Sequence, residues 1–158
     1  MANMCYFMMK IVGTEKNAEK MLDVIKSDYA IEASVYDRSA DKENDKCYIF
    51  LDGDCKWSVK SSMLDFKPSI LSYSASFNVT LEIFSSEPGC CFQEHFVIEN
   101  GNITVNECVG FYEFDSLESF ESEGGLKAFN EEYGTDYKTY NVVDGFVQIG
   151  GFDDFGCF

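Results

Sequence analysis

Hydrophobic and polar positions alternate along much of this chain, and the alternation gives way to helical spacing in a few places. Residues 4–12 form an apolar, strand-like run closed by Gly13-Thr14. Ala18, Met21, Leu22 and Ile25 then recur at helical spacing, with Thr14 positioned to cap the helix. Residues 30–36 alternate as a second strand, and the polar stretch 37–46 reads as a loop. Residues 47–51 and 55–59 flank Asp52-Gly53-Asp54, which predicts a hairpin turning at the Asp-Gly pair. Within its second arm Trp57 alternates with Cys55 and Val59, which assigns the indole to the core. Between residues 61 and 77, Met63, Leu64, Phe66, Ile70, Leu71 and Tyr73 predict a short helix interrupted or restarted at Pro68.

The second half is strand-rich. Residues 79–84, 91–98 and 103–111 are three alternating runs separated by a Ser/Glu/Pro/Gly segment and by Asn100-Gly101, and they predict three antiparallel strands in series. Leu117, Phe120, Leu126 and Phe129 interleave with acids between residues 116 and 133, giving a helical segment interrupted by Gly124-Gly125. Residues 137–143 and 146–149 close around Asp144-Gly145 as a hairpin, followed by a Gly/Asp/Phe tail. No repeat and no linker divides the 158 residues, which read as a single domain, 1–158. Helices grouped among antiparallel strands predict an α+β fold, ferredoxin-like, with two or three helices on one face of an antiparallel sheet.

Two stretches carry a resemblance. Residues 53–63, a hairpin end with a tryptophan, look like a segment of uncharacterised proteins of Gram-positive bacteria and their mobile elements. Ser86-Glu87-Pro88-Gly89-Cys90-Cys91-Phe92 followed by Asn100-Gly101 is similar to the YubB-like ferredoxin-like proteins of plasmids and phages, over about residues 45–115. The resemblance implies a small ferredoxin-like protein of mobile-element type and brings no catalytic residues. The Cys90-Cys91 pair stands where that family has a glycine-containing turn.

Charge changes the picture more than composition does. The chain carries 28 acids against 12 bases, a formal net charge of −16. Residues 1–81 are nearly balanced, whereas the strongly acidic C-terminal half, 82–158, holds 16 of the acids and has Lys127 and Lys138 as its only bases. Such a chain repels nucleic acid and anionic membranes, because binding them requires a basic patch that displaces counterions. The densest stretch is Glu113, Asp115, Glu118, Glu121, Glu123, Glu131, Glu132 and Asp136. Carboxylates so spaced either solubilise an aromatic-rich core or imitate a row of phosphates for a basic groove. Phe111, Tyr112, Phe114 and Tyr133 are the aromatics expected to be exposed among them.

Seven cysteines, an odd number without framework spacing, and an N-terminus lacking a basic segment before a long apolar run lead us to expect free thiols and a cytoplasmic location. No CxxC pair, EF-hand spacing or phosphate-binding glycine loop is present, so no cofactor or metal is expected. His95 is the sole imidazole; to serve a thiol it would have to meet Cys55, Cys90, Cys91 or Cys108. The leading expectation is a non-enzymatic acidic protein, an inhibitor encoded by a mobile element, that blocks a basic nucleic-acid-binding defence protein of the host by charge mimicry or surface coverage. Two alternatives stand beside it: a thiol or metal-dependent enzyme centred on His95 and nearby cysteines, and a homodimeric small-molecule-binding module.

Overall fold

Cys5, Phe7, Met9 and Ile11 alternate along the first strand and are all fully buried, so this strand carries the middle of the core. A computed structural model describes residues 3–158. Strand β1 (Met4–Gly13) leads into helix α1 (Glu15–Val24), whose Thr14 cap accepts a hydrogen bond from the Asn17 N–H at 3.4 Å. The helix continues as a π-helical turn, Ile25–Tyr29, before β2 (Glu32–Asp41) and β3 (Lys46–Lys56). A second π-helical turn, Lys60–Leu64, precedes α2 (Ile70–Phe77), capped by Ser69, which accepts from the Leu71 N–H.

Strands β4 (Thr80–Glu87), β5 (Phe92–Glu99) and β6 (Asn102–Phe114) follow, then α3 (Leu117–Ser122), α4 (Gly125–Tyr133), β7 (Asn141–Val143) and β8 (Phe146–Gly150). All pair antiparallel in the order β2-β3-β1-β4-β5-β6-β8-β7. The α+β class and the antiparallel sheet are as expected, with eight strands in one sheet. Asn100-Gly101 and Asp144-Gly145 have positive φ at both residues and make the predicted tight turns. No helix among the described residues is long and apolar enough to cross a membrane.

Two expectations are overturned. Residues 37–46 turn only at 42–45: β2 runs on to Asp41 and pairs with β3 along its length, with a bulge between Val35 and Asp37. Asp52-Gly53-Asp54 is accordingly not a turn but lies inside continuous β3. Gly53 pairs with Ala33 of β2, whose backbone comes too close here to admit a side chain. A Cβ would sit 2.9 Å from Phe7 Cζ and closer still to the Glu32 carbonyl oxygen.

Apolar residues segregate into two cores. The larger packs α1, α2 and the π-helical turns on one face of β1, β3, β4 and β5, around Phe7, Met21, Ile49, Leu81 and Phe96. The smaller sits under α3 and α4, around Phe120, Phe129, Val147 and Ile149. On the opposite face of β4, Phe84 is buried by the chain's end: Phe152, Phe155 and Phe158 surround it at 6.1, 5.6 and 5.7 Å between ring centroids. Gln93 Oε1 accepts from the Phe152 N–H at 2.9 Å and fixes where this tail begins.

Candidate interaction surface

The acidic stretch is built on the smaller core. Ser116 caps α3 by accepting from the Ser119 N–H at 3.1 Å, and Glu118 lies in the first turn, where a negative charge complements the helix dipole. Phe120 points inward. The chain then reverses through Gly124 and Gly125, at φ +103° and +62°, values that side chains rarely adopt. In α4, Leu126, Phe129 and Tyr133 fall at i, i+3 and i+7 on one face. Asn130 pins the segment beyond: its Oδ1 accepts from the Tyr137 N–H at 3.0 Å and from Thr135 Oγ1 at 2.8 Å, and its Nδ2 donates to the Tyr137 carbonyl at 2.9 Å.

With the apolar residues turned inward, Glu113, Asp115, Glu118, Glu121, Glu123, Glu131, Glu132 and Asp136 are all exposed. Of these eight, Asp136 alone has a cation partner among the described residues, Lys138. Glu113 accepts from Gln148 Nε2 at 3.3 Å across β8, and the other six make no side-chain ion pair. The aromatics differ from expectation. Phe111 is buried on one face of β6, and Tyr112 and Phe114 lie half-buried on the other, against the smaller core beneath the two helices. Tyr133 alone is exposed, at 50%. It stays linked to the core by a ring contact of 4.6 Å to Phe129.

His95 sits elsewhere and touches no thiol. Its ring stacks on Phe84 with centroids 4.1 Å apart, Nε2 lies 3.1 Å from Glu82 Oε1, and Nδ1 lies 3.3 Å from Glu107 Oε2. Glu82 also meets Lys10 Nζ at 2.9 Å. Burial pushes the Glu82 carboxyl up, but Lys10 and His95 more than offset it and hold it below its ordinary range. In the β5–β6 register Cys108 faces Glu94, so alternation sends its thiol to the side away from His95. Cys55 faces Cys5 two strands further off, buried in the larger core.

Cys90 and Cys91 lie in the turn before β5 and not on a strand. The Glu87 carboxylate raises the Cys90 thiol, and burial with Glu94 raises Cys108, the reverse of what a thiolate nucleophile needs. No group of three or more His, Cys, Asp or Glu among the described residues is placed to hold a metal ion.

Two features escape the sequence pattern. Glu94 is buried, and its Oε2 accepts from the Val59 N–H at 2.9 Å and from Ser85 Oγ at 2.7 Å, tying the 57–64 segment to β5. Trp57, assigned to the core, is 53% exposed. β3 ends at Lys56, and Trp57 takes a left-handed backbone conformation, φ +65°, which breaks the alternation and turns the indole out beside a cavity of about 420 Å³ shared with Tyr29, Ile31 and Phe66. Alternation in the sequence does not reveal such a break; the lysine and serines that follow Trp57 were the available sign of a strand end.

No family model matches the chain, and no curated protein or solved structure matches it.

Proposed function

We propose that this is a non-enzymatic interaction protein whose α3–α4 face binds a basic surface on a nucleic-acid-binding protein and keeps nucleic acid from it. The observation that supports this most is the state of the eight carboxylates: all are exposed, and seven lack any cation partner among the described residues. Charges left uncompensated in one part of the surface create a field that raises the encounter rate with a basic partner. Their density imitates, over a short span, the phosphates such a partner holds. The succession β1-α1-β2-β3-α2-β4 with spatial order β2-β3-β1-β4 supports reading this half as a ferredoxin-like unit that carries the acidic half as an addition. With the resemblance to YubB-like proteins, the reading takes the form of a mobile-element inhibitor of a host defence protein.

The test is immobilised protein challenged with host lysate at low salt. Nucleic-acid-binding proteins should be retained and should elute as the Debye length falls from about 10 Å to about 3 Å, and added duplex DNA should displace them. Reversing Glu118, Glu121, Glu131 and Glu132 to lysine should abolish retention with the melting temperature nearly unchanged. Retention of the same proteins by that variant overturns the proposal.

A further inference from the structure

The acidic face is not flat. Between α3 and α4 it opens into a cavity of about 210 Å³ walled by Phe114, Phe120, Phe129 and Tyr133, with Glu123 and Glu132 at its sides. Phe120 and Phe129 are buried beneath it, at 2% and 4% exposed, so the ring open to the cavity is that of Tyr133, 50% exposed and 4.6 Å from Phe129, beside half-buried Phe114. Gly125 also borders the cavity, and nothing lies within 4 Å of where its Cβ would be, so this side stays open.

The volume is below the roughly 300–1,000 Å³ of small-molecule sites and suits one long side chain. Its chemistry asks for a cation on an apolar stem. The exposed Tyr133 face carries negative charge density, and Glu123 and Glu132 have no ion-pair partner among the described residues. Arginine meets these requirements better than lysine, because the planar guanidinium stacks on rings while its forked donors reach carboxylates on two sides. The chain's own single arginine, Arg38, is held by Glu19 on α1. We infer that the α3–α4 cavity receives an arginine side chain of the protein partner and anchors it within the acidic face.

This inference rests on the proposed function, and the experiment separates the two. Two fluorescent peptides of equal charge serve as probes, one of six lysines and one in which the third lysine is arginine, read by anisotropy at low salt. The arginine peptide should bind about tenfold more tightly, the size expected of one stacked, charge-assisted contact. The E123Q/E132Q double variant should lose that preference. A control that removes the same charge outside the cavity, E113Q/D115N, should weaken both peptides alike and keep it. Melting temperatures of both variants identify any loss of fold.

Equal affinity of the wild type for the two peptides, or a preference that survives E123Q/E132Q, overturns the arginine pocket and leaves the charge reading intact. Failure of both peptides to bind the wild type overturns both readings.

Discussion

At the residue scale the most informative positions are those where the chain does something the alternation forbids. Gly53 looks like a turn residue because it follows aspartate, yet it lies within β3 where the close approach of the paired β2 backbone leaves no room for a Cβ. Trp57 looks buried because it is tryptophan in an alternating run, yet the strand ends one residue earlier. Both misreadings have one cause: local spacing reports which residues alternate and not which strand lies across from them. Thr14 was legible because capping is local. Beside Gly53, Asp54 shows the cost of crowding carboxylates at this end of the sheet. Burial, then Glu32 and Asp52, raise its pKa.

A raised carboxyl binds its proton more tightly in the folded state. It therefore lowers stability above its folded pKa, and the penalty disappears as pH falls through that value towards the unfolded one. Asp54→Asn should increase unfolding free energy at pH 7 by about 0.5 kcal/mol, a solvent-screened magnitude. Urea melts at pH 7 and pH 3 should show the gain at the first and none at the second. Equal gains at both would rule out charge crowding.

Among the elements, those defined by tight turns were readable: the Asn100-Gly101 and Asp144-Gly145 hairpins and the helix break at Gly124-Gly125 all form where the residues place them. The extension of β2 to Asp41 was not, because an edge strand exposed on both faces carries polar residues throughout and looks like a loop. The terminal segment was unreadable for a different reason. Its phenylalanines recur every third residue but among glycines and aspartates that support no helix, and they acquire their role by meeting Phe84, Phe50 and His95 on the sheet face that the helices leave bare. Lys10 adds a cation over the Phe158 ring at 5.6 Å.

Ending the chain after Gly151 should therefore cost about 2–4 kcal/mol, since Phe84 returns to water and three rings lose their partners. Far-UV circular dichroism should stay close to native while a hydrophobic dye gains fluorescence. A truncated chain of native stability would mean the tail contributes nothing to the fold.

For the whole molecule, the division into two cores follows the division of charge except at β4 and β5, which belong to the acidic half and pack in the larger core. The larger core underlies the balanced first half, and the smaller carries the densest acidic stretch. Self-repulsion thus falls on the part with the fewest buried residues to resist it. Amides of α3, α4, β7 and β8 should exchange with deuterium faster than those of β1, β3 and β4. Raising salt from 10 to 300 mM should slow the first group by roughly threefold or more and leave the second nearly unchanged. A uniform response would show that the two cores open together. The location of the acidic surface was legible in the sequence from charge counts alone. The cavity inside it was not, since that depends on how two short helices meet across a pair of glycines.

The bulge in β2 and the brevity of β7 have a consequence for how the molecule behaves in a crowded solution. An open sheet has two outer strands, and a long flat one is a template on which another copy of the chain lays down its own strand. Here one outer strand is kinked between Val35 and Asp37 and studded with Glu32, Asp37, Arg38 and Asp41, and the other is three residues long. Neither presents an unbroken row of free amides and carbonyls long enough to start a fibril. The protein can keep eight strands in a single open sheet and still stop growing at its own borders.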